Sequence, residues 1–423
     1  MRVQPLARIG RWGIPAILAM AAAGAAPPGT GGEALARGST DGYLYGKVTT
    51  RDGDEYVGLL RWGTEEAFWD DHFNSAKTDL HYADYLPRRE KRERRTSIRL
   101  FGYRIGVDSD GIAATHVFAC RFADIAKIEP EGDDDARVTM RSGSEFHVSD
   151  YANDVGTDVS VQDASLGEIA LKWDRIEVVE FEPTPAGVAP TAYRLRGKVE
   201  TDIGDFEGPI QWDSDECLST DKLDGESRDG KMSIEFGKIR SIERTHDQCR
   251  VELKDGREVT LGGTNDVDET IRGILVEDPR YGRVEVEWDS FDRAVFEDAG
   301  DSGRGYNDFP AGRPLRGTVT DLEGKTHSGR IVFDLDEAET WEMLNGKLSD
   351  VEYNIPFEMI ASIEPGGRRS SNVVLRNGEK LRLTDGQDVS EDNDGVLIFA
   401  SEAEEGAEPV YLEWSEVDRI DFD

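Results

Sequence analysis

The chain carries only three cysteines among 423 residues, and none forms a Cys-x-x-Cys pair. A small scaffold stapled by disulfides is therefore excluded. After the first 26 residues no apolar run approaches 18 residues, which excludes a protein with several membrane-spanning helices. Positive charge is scarce: 50 Lys and Arg stand against 87 Asp and Glu, a formal net of −37. A surface of that sign repels phosphate backbones, so general nucleic-acid binding is excluded. The acidity fits a chain adapted to salt and does not by itself indicate a ligand.

Reactive motifs are missing as well. The sequence has no G-x-S-x-G, no H-E-x-x-H and no phosphate-binding glycine loop. The segment Gly300-Asp301-Ser302-Gly303 resembles the nucleophile segment of trypsin-like proteases, but the pattern breaks at Arg304. It lies in a stretch of small residues, and linker composition explains it better.

What is present begins with an address. Arg2, Arg8 and Arg11 precede an uncharged apolar stretch from Trp12 to Ala26, and Ala23 and Ala25 form an A-x-A signal. The pattern predicts a signal peptide over residues 1–25, and hence a periplasmic or secreted chain. Its removal takes away three arginines and no acid, so the mature chain is still more acidic. An odd cysteine count then leaves at least one thiol unpaired. Cys217 and Cys249 share one repeat and allow a pairing, while Cys120 reads as a small buried apolar residue.

The most informative feature is self-similarity. "GKVTTRDGDEYVGLLRW" begins at Gly46, "GKVETDIGDFEGPIQW" at Gly197 and "GTVTDLEGKTHSGRIVF" at Gly317. Later blocks recur in the same order, and each copy closes on Trp173, Trp288 or Trp414. Three tandem units are expected, at 43–182, 194–298 and 314–423, after a lead-in at 26–42. Joints rich in proline and glycine lie at 183–193 and 299–313.

Each unit splits in two, and every half ends on an aromatic-x-x-aliphatic-x-x-aliphatic signature. The first halves give Phe122, Phe236 and Phe357, and the second halves give Trp173, Trp288 and Trp414. Alternating segments such as "EYVGLLRW" and "RVEVEW", separated by Asp52-Gly53, Asp255-Gly256 and Asn377-Gly378, predict strands and tight hairpins. The signature itself fits a strand, one helical turn and another strand. That ending resembles the close of SH3-like and Sm-like small β-barrels. The resemblance implies an all-β fold of three tandem repeats, each of two small barrel halves. A six-bladed propeller is the alternative.

A short helix is expected once in each first half. Glu66, Glu216 and Glu337 would sit in its first turn, favoured by the positive helix end. Asn74-Ser75, Asp224-Gly225 and Asn345-Gly346 would close it. The glutamates also admit a role as ligands or bases, which capping makes unnecessary.

Asp154, Asp266 and Asp388 recur in the loop after the second-half hairpin of each unit. They read as turn-holding side chains. Neighbouring acids, including Asp158, Asp268, Glu391 and Asp392, give the alternative of a Ca2+ site, since calcium takes six to eight oxygens. No EF-hand spacing is present. The first unit alone has an insertion near 82–112 containing "RREKRERRTSIR". Arg88, Arg89, Lys91, Arg92, Arg94 and Arg95 form a basic cluster on an acidic chain. It is either a solvated helix against the chain's own acids or an anchor for an anionic partner, such as an envelope protein, an acidic glycan or a lipid head group.

The recurrent positions are thus glycines, core aromatics, aliphatics and turn acids. No unrepeated reactive cluster stands out. His72, His81 and His116 share the first unit and are the one basis for a hydrolase, but their spacing does not suggest zinc. The expectation is an exported, non-catalytic binding or scaffolding module. A calcium-binding β-repeat and a hydrolase are the alternatives.

Overall fold

The computed structural model describes residues 39–78, 82, 85, 98–100, 103–105, 116–149, 154–400 and 408–423. Among these the protein is all-β, with large antiparallel sheets and no α-helix. No helix among them is long and apolar enough to cross a membrane.

The first unit contains β1 (Tyr45–Thr50), β2 (Glu55–Trp62), β3 (His72–Lys77), β4 (Ile98–Leu100), β5 (Tyr103–Ile105) and β6 (His116–Arg121). Then follow β7 (Ile125–Pro130), β8 (Asp135–Met140), β9 (Glu145–Ser149), β10 (Val159–Asp163), β11 (Gly167–Leu171) and β12 (Ile176–Phe181). Apart from the small β4–β5 hairpin, these strands make one ten-stranded sheet in the order β11-β10-β2-β1-β12-β7-β8-β9-β3-β6. The order interleaves the two sequence halves. β1 and β2 pair with β12 and β10 of the second half, while β8 and β9 lead into β7, β3 and β6 of the first. The third unit repeats these pairings, and the second repeats all but the β3–β9 pairing, which is reduced there to a bridge between Glu226 and Gly262.

The six aromatic signatures sit where the sequence places a turn between strands. Five are single 3-10 turns, at Phe122–Asp124, Trp173–Arg175, Phe236–Lys238, Phe357–Met359 and Trp414–Glu416. At the sixth, Phe291 N–H donates to Trp288 O at 3.2 Å. All six aromatics are buried and deliver the following aliphatics inward. Trp62 packs edge-on against Phe73 and Trp173, and Trp212 and Phe333 take the same place against Phe291 and Trp414.

The short helix expected after Glu66, Glu216 and Glu337 is absent. Each glutamate ends a tight turn that bridges back to Trp62, Trp212 or Phe333. The residues expected to close the helix lie in strands instead, at His72–Lys77, Lys222–Ser227 and Met343–Leu348. Gly225 and Gly346 are strand positions where a Cβ would stand 2.9 Å from the Cβ of Leu261 or Leu383. Close sheet packing, rather than a left-handed helix cap, selects glycine there.

The units are joined closely. Strand Gly282–Val286 of the second unit pairs with Val351–Pro356 of the third, so their sheets and apolar cores are continuous. The second joint is no free connector. Tyr306 and Phe309 pack into the first unit's core, and Arg141 Nη1 donates to both their carbonyls. Ser302 is buried; its Oγ donates to Ser39 O and accepts Gly42 N–H.

The glycine that opens each unit marks the same close approach. A Cβ on Gly317 would lie 2.1 Å from Asp421 O, a backbone atom of the paired strand. Gly317→Ala is expected to lower stability by about 1–3 kcal/mol through this clash. Gly300→Ala, with no neighbour closer than 3.8 Å, is expected to leave the melting temperature unchanged. Thermal unfolding of the two variants checks both.

Candidate functional site

The polar residues that recur are gathered around the turn after the second strand of each unit. One acid there has two tasks. Asp71 Oδ2 accepts the N–H groups of Ala67 and Phe68, Asp221 Oδ2 those of Cys217 and Leu218, and Glu342 Oε2 those of Ala338 and Glu339. Each closes its own turn this way. Each also holds a cation from a different unit. Arg194 lies 3.3 Å from Asp71 Oδ1 and 2.6 Å from Asp70, Arg61 makes two 2.9 Å bonds to Asp221, and Lys77 Nζ is 2.7 Å from Glu342 Oε1. The sequence reading missed all three. Their constant offset of five residues from Glu66, Glu216 and Glu337 was the available signal.

The loop aspartates, expected to hold their own turns, reach across to a strand of the first half instead. Asp154, Asp266 and Asp388 each accept, at 2.6 Å, a backbone N–H from the third residue of a strand: those of Asn74, Asp224 and Asn345. Trp62 and Trp212 donate their indole N–H to the carbonyls of Asp154 and Asp266 at 2.8 Å. The third unit has Phe333 in that place, and Asn393 Nδ2 donates to Asp388 O instead.

The three aspartates are not one site. Each lies in its own unit, beside that unit's recurrent glutamate. A carboxylate oxygen of Glu66 lies within 4.8 Å of one of Asp154, and burial pushes both carboxyls well up from their usual range. Burial and Asp266 raise Glu216 to about 9, and burial raises Asp266 to about 6. Burial, Asp336 and Asp388 push Glu337 strongly up. In all three units one glutamate oxygen, Oε2 of Glu66, Glu216 and Glu337, is buried without a hydrogen-bond partner.

The units differ in what surrounds this pair. Gly63, Asp213 and Asp334 occupy one turn position with φ between 48° and 56°. In the second unit Asp213 Oδ1 accepts the Arg272 N–H at 2.6 Å, and the Arg272 guanidinium lies 2.9 Å from Oδ2 and 3.2 Å from Asp215. In the third unit Asp334 accepts the N–H of Asp394, which stands at the same place, six residues after the loop aspartate. In the first unit the Arg283 guanidinium lies near enough to favour the charged forms of Glu66 and Asp154.

Carboxylate oxygens of Glu65, Glu66 and Asp154, and those of Asp334, Glu337 and Asp388, each converge within 4.8 Å. The latter three line a cavity of about 520 Å³ together with Lys77, Gln387 and Asp392.

The other candidates separate. His72 faces Arg121 and His116 faces Lys77 at opposite ends of the β3–β6 ladder, five residues or roughly 17 Å apart. His72 is buried, and desolvation holds it neutral. Cys120, Cys217 and Cys249 are buried free thiols, so Cys217 and Cys249 are not paired. His81, Asn153, residues 1–25 and the basic residues Arg88, Arg89, Lys91, Arg92, Arg94 and Arg95 lie outside the described residues. Comparison with protein-family models, curated proteins and solved structures finds no match to this chain.

Two outcomes are expected. A carboxyl raised by folding stabilises fully below its unfolded value, and that contribution is lost as pH climbs through its folded value. For Glu216 the window runs from 4.5 to about 9. Glu216→Gln is therefore expected to reduce the fall in melting temperature between about pH 5 and about pH 9. Asp71→Ala leaves two turn N–H groups unmet and Arg194 short of an acid. It is expected to cost about 3–5 kcal/mol in chemical denaturation.

Proposed function

We propose that the chain is an exported, non-catalytic binding or scaffolding module of the cell envelope or the exterior. The basic start, the uncharged run to Ala26 and the A-x-A signal support export. The recurrent polar side chains are spent on closing turns and docking units, which supports a structural rather than a reactive role.

The observation that carries the binding reading is the strand pairing between Gly282–Val286 and Val351–Pro356. The last hairpin of the second unit accepts an extended strand along its edge. β11 is the same strand of the first unit, and among the described residues it pairs with β10 alone. A row of backbone N–H and C=O groups along such an edge recruits a further strand. The ligand is an extended segment of a partner protein in the envelope, added to β11. The basic segment 88–99 adds attraction for an acidic partner.

Proline scanning of β11 tests this. Successive N–H groups alternate between β10 and the open edge, so either Glu168→Pro or Ile169→Pro removes an edge donor without breaking the hairpin. The full chain, immobilised, is expected to retain a partner from envelope extract. The proline variant with the unchanged melting temperature is expected to lose it. Equal capture by both variants and the parent, or no specific capture, overturns the reading.

A further inference from the structure

The three units carry the same backbone clasp and differ in where its positive charge comes from. In the second unit Arg272 brings a guanidinium onto Asp213 and Asp215. The third unit keeps Asp334, Asp336, Glu337 and Asp388 at the matching positions and places Asp394 where Arg272 stands. Lys77 is held by Glu342 and by the backbone carbonyl of Asp336, both at 2.7 Å, and lies 3.4 Å from the Asp336 carboxylate, with its charge favouring the ionised form of Glu337. Asp336, Asp388 and Asp394 stand close enough to Asp334 to raise the cost of its charge further.

We propose that the third unit binds one divalent cation of calcium type between Asp334, Glu337 and Asp388, in the role that the Arg272 side chain fills in the second unit. Two oxygens bound to one calcium ion at about 2.4 Å lie at most about 4.8 Å apart, and the three carboxylates meet that limit. All three are buried, with exposures of 1%, 8% and 7%. Glu337 Oε2 is enclosed yet has no hydrogen-bond donor, which is the feature a metal ligand leaves when only protein partners are counted. The adjoining cavity of about 520 Å³ admits the waters that complete a hard-cation shell. Asp388 is already oriented by the Asn345 N–H and Asp334 by that of Asp394, so two ligands are fixed before the ion arrives. This site is separate from the β11 edge.

Calorimetric titration of the metal-stripped full chain with calcium chloride, at about 0.15 M salt to screen diffuse binding, tests the inference. One saturable site and a rise in melting temperature are expected. Glu337→Gln and Asp334→Asn are each expected to weaken it by at least about tenfold, because ligand charge sets calcium affinity. Glu216→Gln, the matching change in the second unit, is expected to leave the isotherm unaltered. Asp394→Arg supplies the missing cation internally. It is expected to abolish the calcium response while holding or raising the melting temperature in chelator. No heat and no thermal shift at millimolar calcium overturn the inference. So does an isotherm that Glu337→Gln does not change, which would place the ion elsewhere on the acidic surface. Should Asp394→Arg fail to fold, Glu337→Gln alone decides.

Discussion

A carboxylate has two oxygens, and in each unit one acid uses them to serve both a turn and a neighbour. Asp71, Asp221 and Glu342 use one oxygen to satisfy two backbone N–H groups of their own unit. Each also faces a cation from another unit: Arg194, Arg61 and Lys77. Lone buried charges cost far more than they return, but a carboxylate satisfied on both sides is neither lone nor unbonded. The turn cannot open without stranding the foreign cation, and the units cannot part without weakening the turn. Folding of each unit and assembly of the three are thereby coupled through a single side chain per unit.

That coupling works because the strand order is already interleaved. A half that closed on itself would be a separable body, and its turn acids would matter only locally. Here β2 lies against β10, and β3 against β9, so each half is completed by the other. The glycines at 58, 208 and 329 follow from the same crossing. A Cβ there would meet a carbonyl of the partner strand at 2.0 to 2.1 Å. Between the second and third units the pairing even tolerates Glu285 opposite Glu352. Like charges at such a position are unfavourable, and Lys347, 3.7 Å from Glu352 and 2.6 Å from Glu287, offsets them.

Local chemistry was legible in the sequence, and partner choice was not. Gly53, Gly256 and Gly378 all have φ near +90°, as their hairpin dipeptides imply, and the aromatic signatures fall at the turns they predict. Alternation says which face is buried but not which strand lies alongside, so the interleaving of halves could not be read. The helix expected after Glu66 failed for a related reason. An apolar residue seven positions on from an acid fits a helix turn and equally a loop followed by a strand. Only the packing of Gly225 and Gly346 against Leu261 and Leu383 decides between them. The glutamate and aspartate series were both visible as recurrent positions. Glu66 and Asp154 are 88 residues apart, and nothing local states that they touch. Their joint recurrence in three copies was the one clue: polar positions that return together are under a shared constraint.

The same comparison changes the meaning of the chain's charge. A formal net of −37 counts every carboxyl as ionised. Burial pushes the carboxyls of Glu66, Asp154, Glu285, Asp334 and Glu337 well up from their usual range, so charge on these groups costs more than charge on a surface acid. Exposed acids such as Glu55, Glu258 and Asp292 carry the repulsion toward other polyanions. The recurrent glutamate and loop aspartate keep their positions while the cations near them vary: Arg283 from the second unit near Glu66, Arg272 within the second unit near Asp266, and Lys77 from the first unit near Glu337. A repeat can exchange the source of a compensating charge more readily than it can exchange the carboxylate, because the carboxylate also satisfies backbone N–H groups that no cation can reach.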